Sequence, residues 1–272
     1  MTTRRFIAAA IQLCAGSDKA ANLDKAESLV ADAVRRGAQL VVLPEVFLWR
    51  GSRDEERASA EPIPGPSCHR LGDVARQLGI HLVAGSILED SGGPRAFNTS
   101  LLFDPHGQIV ARYRKLHLFD VDIAGHVTIR ESDTRAAGDA VVTAPTELGV
   151  IGMTVCYDLR FPELYRRLTL AGAELITVPS AFTFPTGAAH WEILLRARAI
   201  ENQVYVVAPD QIGRSPSGVL DFGNSIIVDP WGTPLARAAD RETVIVAEID
   251  RDHQDRVRRE LPCLTHIRLA TK

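Results

Sequence analysis

Short apolar runs alternate with helix-spaced apolar positions along most of the chain. Residues 6–13 form an apolar run of strand length and read as a buried strand. Ser17 or Asp18 can cap the helix that follows, which runs to about Arg36 and stops at Gly37. Leu23, Ala26, Val30, Ala33 and Val34 give that helix an apolar face at spacings of three and four. Residues 40–43 are a second strand, closed by Pro44, which has no N–H for a ladder. A polar loop, 50–66, leads to a helix over about 67–78 that ends at Gly79. Residues 80–88 read as a strand, and 97–103 with 108–113 as a hairpin around Asp104-Pro105-His106-Gly107. Residues 120–139 read as irregular.

The second half continues the alternation. Strands are predicted at 141–145 and 150–155, then a helix at 162–171 closed by Gly172, and a strand at 175–179. A loop at 180–187 precedes a long helix over about 188–202. Strands follow at 204–208 and 225–228, then the turn Asp229-Pro230-Trp231-Gly232, then strands at about 234–239 and 243–249. Asp250 caps a last charged helix to about Glu260, and the tail reads as extended. Such alternation, with hairpins between, predicts an α/β layered domain with mixed strand directions. Both halves share an outline of helix, strand, chemistry-bearing residue at the strand end, and helix. That outline points to an internal pseudo-two-fold without a repeat in the residues themselves.

Composition narrows the class. At 272 residues, the chain can hold one large α/β domain or two small ones, and no low-complexity linker divides it. With 46% hydrophobic and 24% charged residues it has the balance of a soluble globular protein. A net charge of -3 gives no reason to expect a nucleic-acid or anionic-membrane partner. No apolar run is long enough to span a bilayer. Two arginines before a short apolar run mimic a signal peptide, but the run leads straight into a capped helix. Cys14, Cys68, Cys156 and Cys263 are widely spaced without a CxxC, which predicts free thiols in a reducing cytoplasm and neither a disulfide framework nor a zinc site.

Three residues carry candidate chemistry. Cys156 stands where an apolar run hands over to the turn Tyr157-Asp158-Leu159-Arg160 and a helix opened by Pro162. It is either a small buried hydrophobe or a thiol with free backbone N–H groups beside it. Glu45, after Pro44, occupies the same kind of position at the mouth of a sheet, flanked by Leu43, Val46, Phe47 and Leu48. It is either an ion-pair partner or a carboxylate poised for chemistry. Lys115 directly follows the second hairpin strand, as a solvated lysine or a fixed cation at a sheet edge.

The segments LPEVF, YRKLHLFDVDI and MTVCYDLRFPELYR, around Glu45, Lys115 and Cys156 in that order, resemble the nitrilase, or carbon–nitrogen hydrolase, superfamily. TGAAHWEILLRARAIENQVYVV and IIVDPWG extend the likeness over essentially the whole chain. The resemblance implies a single domain over 1–272, a four-layer α-β-β-α sandwich with a Glu45-Lys115-Cys156 triad. It implies no cofactor and no metal. It also implies homodimers across a helical interface, sometimes larger assemblies, with the tail at about 261–272 in the interface. In such an enzyme Cys156 attacks a carbonyl carbon, and Glu45 takes the thiol proton, passes it to the leaving group and later activates water. Lys115 and the Tyr157 backbone N–H hold the oxyanion, and the lysine favours the thiolate. The resemblance suggests Glu131 as a second glutamate that orients Lys115 or helps position substrate.

CYDLRFPEL, SAFTFPTG, AHWEILLRARAIE and NSIIVDPWG look most similar to the branch containing deaminated glutathione amidase and omega-amidase, with the first type favoured. Substrates there carry a 2-oxo acid end and a distal amide. Arg160 is then the fork for a substrate carboxylate, unless it is a structural arginine, and Phe182 and Thr186 line the pocket. The segment before Ile226 departs from the branch, with Gly223-Asn224-Ser225 where GHS is frequent. His190 is a rival base, since Cys-His pairs are a common alternative, but its place in a helix reads as a packed, hydrogen-bonded histidine. Asp158 reads as a tie for the turn after Cys156. A nitrilase or N-carbamoyl amide hydrolase with the same triad, and a non-catalytic scaffold, are the alternative readings.

Overall fold

The computed structural model describes residues 3–125 and 127–269. The chain opens with β1 (Arg5–Gln12). The Asp18 carboxylate then accepts the Ala21 N–H and starts α1 (Lys19–Arg35). β2 (Ala38–Val42) follows, and the loop after it contains the short helix α2 (Arg53–Glu56). Pro66 opens α3 (Pro66–Leu78), and Gly79, in the left-handed region at φ 65°, closes it.

The strand expected over 80–88 is broken into β3 (His81–Val83) and β4 (Ile87–Glu89). Gly85 between them has φ 37° and lies against the Pro44 carbonyl, so the chain turns there to make room for the end of β2. β5 (Ala96–Phe103) and β6 (Ile109–Arg114) form the expected hairpin.

Residues 120–139 are more regular than expected. β7 (Asp120–Ile123) and β8 (Val127–Arg130) pair antiparallel. A 3-10 turn, Glu131–Asp133, and β9 (Arg135–Ala136) follow. The strands are only four residues long, too short for their alternation to stand out from a loop.

β10 (Thr143–Thr146) and β11 (Gly149–Met153) precede a 3-10 turn, Cys156–Arg160, and α4 (Pro162–Leu170). After β12 (Leu175–Thr177), α5 (Phe184–Asn202) begins four residues earlier than expected, because Pro185 is accommodated in its first turn. Thr186 therefore lies on the helix and not on a loop. β13 (Tyr205–Ala208), the hairpin β14 (Ile212–Arg214) and β15 (Leu220–Phe222), β16 (Ile226–Val228), β17 (Pro234–Arg237) and β18 (Thr243–Asp250) complete the strands. Asp250 caps α6 (Arg251–Glu260) by accepting the Asp252 and His253 N–H groups. Beyond it Cys263–His266 form a 3-10 turn where an extended tail was expected; residues 270–272 lie outside the described part.

Two sheets carry the fold. The first runs β18-β1-β2-β3-β5-β4, with β6 and β9 also on β5; the second runs β10-β11-β12-β13-β16-β17. In the first, β1, β2 and β3 are parallel and are flanked by antiparallel β18 and β5. In the second, β11, β12 and β13 are parallel and are flanked by antiparallel β10 and β16. The expected pseudo-two-fold thus exists in the topology. Side chains alternate between faces: Ala8, Ala10, Leu40 and Val42 share a core with Met153, Val155, Ile176 and Val206 of the second sheet. Ala9, Ile11, Val41 and Leu43 face the other way, against Leu23, Ala26 and Val30 of α1 and Leu71 and Ala75 of α3. Leu164 and Leu168 of α4, with Trp191 and Leu195 of α5, pack on the second sheet. The result is an α-β-β-α sandwich, and burial on both faces explains why the strands read as continuous apolar runs. Among the described residues no helix is long and apolar enough to cross a membrane.

Candidate active site

Glu45 sits just past the end of β2. Pro44 stops the ladder there, and the Glu45 N–H donates across to the Ser180 carbonyl at 3.3 Å. Val46, the next residue, is held at φ 45°, a left-handed conformation that costs a β-branched residue energy. Its N–H is caught by Ser86 Oγ at 3.0 Å. The Glu45 side chain is 4% exposed, and every neighbour that reaches it is a donor. Oε1 accepts from Lys115 Nζ at 2.9 Å and Asn98 Nδ2 at 2.7 Å; Oε2 accepts the Ala181 N–H at 2.9 Å.

Lys115 leaves β6 with its N–H donated to the Asn98 carbonyl at 2.9 Å. Its ammonium lies between two carboxylates, 2.9 Å from Glu45 Oε1 and 2.9 Å from Glu131 Oε2. Burial alone would favour the neutral amine, but the charges of Glu131 and Glu45 hold its pKa above the usual lysine range. Glu131 also accepts the Phe119 N–H at 2.6 Å and Arg135 Nη1 at 2.9 Å. Burial pushes its carboxyl up, yet Lys115 and Arg135 more than offset this and lower it to about 2.

Cys156 lies three residues past β11, at φ 48°, with its N–H on the Pro179 carbonyl at 2.9 Å. Two of the chain's few non-glycine residues at positive φ are thus Cys156 itself and the neighbour of Glu45. The thiol shares the cavity wall with the Glu45 carboxylate and with Ala181. Burial and the Glu45 charge raise its pKa well above the ordinary value, and Lys115 opposes them only in part. As expected from the sequence, Lys115 does lower this pKa, but desolvation is the larger effect and the net shift is upward.

The turn after Cys156 is fixed by Asp158, which is fully buried. Its carboxylate accepts the Val155 N–H at 2.9 Å, the Tyr113 hydroxyl at 2.6 Å and the His117 N–H at 3.1 Å. His117 Nδ1 lies 2.7 Å from the same group, and its ring stacks on Phe161. Among the described residues the Tyr157 N–H has no acceptor, so it is free to serve one.

A cavity of about 390 Å³ opens in front of these groups, lined by Glu45, Lys115, Glu131 and Cys156 at its inner end and by Arg50 and Arg130 further out. Arg160, Phe182 and Thr186 are not among the lining residues. The Arg160 guanidinium is 3.2 Å from His190 Nδ1 and lies over the Phe182 ring at 5.2 Å. Phe182 packs on Trp191, and Thr186 bonds Thr183, which does line the cavity. His190 is exposed and paired with Arg160, so the expected packed histidine is a surface one, and it does not line the cavity with the thiol. Ser225, in the departing segment, ties the sheets together by accepting the Asp210 N–H and donating its own N–H to Gln12, both at 2.8 Å.

Sequence reasoning missed Asn98, the Ala181 N–H, Arg135 and Glu56. Asn98 had a signal, since the run Asn98-Thr99-Ser100 is polar inside an otherwise apolar strand and all three are fully buried. Arg135 and Glu56 had none, because each lies in a segment that reads as loop. Chemically, a thiol beside a carboxylate, with an ammonium and unengaged N–H groups around one point, can pass a proton and hold a developing oxyanion.

The carbon-nitrogen hydrolase family model matches residues 7–259. The chain is 41% identical to a deaminated glutathione amidase of Synechocystis sp. over 96% of this chain and 97% of that one. It is 40% identical to the omega-amidase NIT2 of Mus musculus over 95% and 94%. Among solved structures, the Caenorhabditis elegans NitFhit protein superposes with a TM-score of 0.91 at 37% identity, over 98% of this chain and 66% of that one. An amidase from Nesterenkonia sp. AN1, with acrylamide added to its active site cysteine, superposes at 0.80 and 28% identity over 95% and 98%. The chain belongs to the carbon–nitrogen hydrolase family, within the nitrilase superfamily.

Proposed function

We propose that the chain hydrolyses the amide C–N bond of a small carboxylate-bearing 2-oxo acid amide through a Cys156 thioester. The observation that carries this is the placement of the Lys115 ammonium 2.9 Å from both Glu45 and Glu131, with Cys156 and Glu45 lining the same cavity. Because the free thiol is held protonated, the nucleophile forms as it attacks: Sγ bonds the carbonyl carbon while its proton passes to Glu45 Oε2 or Oε1. Lys115 and the Tyr157 N–H receive the oxyanion. Glu45 returns the proton to the leaving nitrogen, and ammonia or an amine departs. Glu45 then takes a proton from water as it attacks the thioester, and returning that proton to sulfur releases the acid. Glu131 orients Lys115.

For the substrate's acid end, Arg160 remains the candidate fork, set beside the cavity and not on its wall, with Phe182 under its guanidinium and Thr186 behind the lining residue Thr183. A cavity of about 390 Å³ favours the longer deaminated glutathione type over the smaller omega-amidase substrate. The omega-amidase reading stands second because the identity to the mouse enzyme, 40%, nearly equals the 41% to the Synechocystis one. We further propose that 1–272 act as one domain in the cytoplasm, as a homodimer joined through its α4–α5 face and the tail at 261–272. Ile193 at 70% exposure, Trp231 at 60% and Leu269 at 85% support that surface.

An ammonia-release screen tests the function. Turnover of 2-oxo acid amides, with none of nitriles or N-carbamoyl amino acids, supports it, and Cys156→Ala should lose turnover of every amide. Retained turnover in that variant would refute a cysteine mechanism. The Arg160 role predicts that Arg160→Ala raises KM for carboxylate-bearing amides far more than for simple ones.

A further inference from the structure

Lys115 does not end the buried chain of charges. Glu131 Oε1 accepts Arg135 Nη1 at 2.9 Å, and the other edge of that guanidinium forks onto Glu56, Nε to Oε1 at 2.8 Å and Nη2 to Oε2 at 3.1 Å. Thr134 Oγ1 adds a bond to Glu56 Oε1 at 2.9 Å. The charges alternate along Glu45, Lys115, Glu131, Arg135 and Glu56. Side-chain exposure rises from 2–5% at the first three to 17% at Arg135 and 10% at Glu56. Both outer members line the cavity. Glu56 belongs to α2, and Arg53 on the same helix bonds Asp133 at 3.0 Å and the Arg130 carbonyl at 2.9 Å. The loop over 50–66 is therefore clasped onto the segment that holds Glu131.

We propose that Arg135 and Glu56 are positioning residues that set the pH at which the two carboxylates on Lys115 ionise, through the single buried negative charge the row leaves unbalanced. This rests on the reading of Glu45 as proton acceptor. Three carboxylates and two cations leave one negative charge in a poorly solvated row. Removing Arg135 leaves two, and a carboxylate of the set must then bind a proton at higher pH. Removing the Glu56 charge leaves none, and the set stays ionised to lower pH. The other ionisable groups near Glu45 change neither sign. Asp221 is paired with Arg50, and Asp210, whose carboxyl burial pushes well up, bonds the Phe182 N–H and no member of the row. Cys156 is held protonated. Thr99, Asn98 and Ser100 on β5 carry no charge.

The test is the acid limb of kcat/KM against pH for the best amide of the ammonia-release screen. The alkylation rate of Cys156 by iodoacetamide, followed on its own peptide by mass spectrometry, is measured alongside. Arg135→Gln should move the acid limb up by about one pH unit, and Glu56→Gln should move it down. The double variant E56Q/R135Q restores the single surplus charge and should return the limb to its original place. Arg135→Lys, which keeps the charge, should hold the limb while losing the fork. A merely structural role lowers rates at every pH and moves no limb, and that result, or shifts of the same sign, overturns the proposal. If Arg135→Gln fails to fold, the near-isosteric Glu56→Gln decides by its sign. Glu45→Gln separates the two levels. Full activity in that variant defeats the base assignment. An inactive Glu45→Gln with unmoved limbs in the other variants defeats only the pairing.

Discussion

The Asp158 carboxylate accepts the Tyr113 hydroxyl at 2.6 Å, and this bond joins the turn that carries Cys156 to the strand that delivers Lys115. The Cys156 thiol and the Lys115 ammonium are thereby placed by one buried acceptor that touches neither of them. Asp158→Asn keeps the shape and removes the charge that three groups donate to. It should cost about 2–4 kcal/mol in urea unfolding and lower kcat more than it raises KM. Tyr113→Phe should cost about 1–2 kcal/mol. Unchanged stability in Asp158→Asn would mean the turn is held by its other contacts.

Lys115→Met leaves Glu45 and Glu131 as neighbouring buried carboxylates with one cation fewer. The expected loss is about 3–5 kcal/mol at neutral pH, together with loss of turnover. The stability loss should shrink as the buffer is made acidic and the carboxylates are neutralised. Denaturant melts at two pH values measure this, and an equal loss at both would contradict it.

Glu131 sets a window of acid sensitivity. Its folded value, about 2, lies below the ordinary 4.5, so its contribution is fully present above about 4.5 and is lost as pH falls toward 2. Lys115 has a raised folded value, so its contribution is present below 10.5 and is unaffected in this window. Melting temperature should therefore drop steeply below about pH 4.5, and Glu131→Gln should flatten the slope there while lowering stability at pH 7. A slope unchanged by that substitution would place the acid sensitivity elsewhere.

Gly85→Ala should damage the site from behind. Gly85 has φ 37°, and a Cβ there would collide with the Pro44 carbonyl oxygen just before Glu45. A loss of about 3 kcal/mol or more is expected, with reduced turnover in whatever remains folded. Gly79→Ala is the control. Gly79 also has positive φ, at 65°, but nothing lies within 4 Å of the added Cβ, so the cost should be nearer about 1 kcal/mol. Equal losses would show that backbone conformation and not the collision decides.

The layered α/β alternation was legible because both faces of each parallel strand are buried and caps and glycines mark the helix ends, whereas the four-layer stacking came from the family resemblance. Asp18, Asp250, Gly79 and Pro162 each stand where those rules put them. Glu45, Lys115 and Cys156 stood out because each follows a clear strand pattern, but their grouping into one set came from the family resemblance alone. The structure brings all three to one cavity wall, 70 residues apart in the Glu45–Lys115 pair. Glu131 lay in a segment too short-stranded to read, and Arg135 and Glu56 depend on a contact between two loops that no local pattern encodes. Arg160 was expected as a carboxylate fork near Cys156, but its partners His190 and Phe182 come from a later segment and turn it away from the cavity lining.

The backbone around Glu45 is held by the opposite sheet. Its N–H meets the Ser180 carbonyl at 3.3 Å, and its carbonyl accepts Gln211 Nε2 at 2.9 Å. Ser180 and Gln211 follow strands of the second sheet, whereas Glu45 follows a strand of the first. Neither half of the chain can bring Glu45 and Cys156 together by itself. Turnover is therefore a gauge of complete docking between the halves: two fragments cut between β9 and β10 would be inert apart, and activity on mixing would report their reassembly.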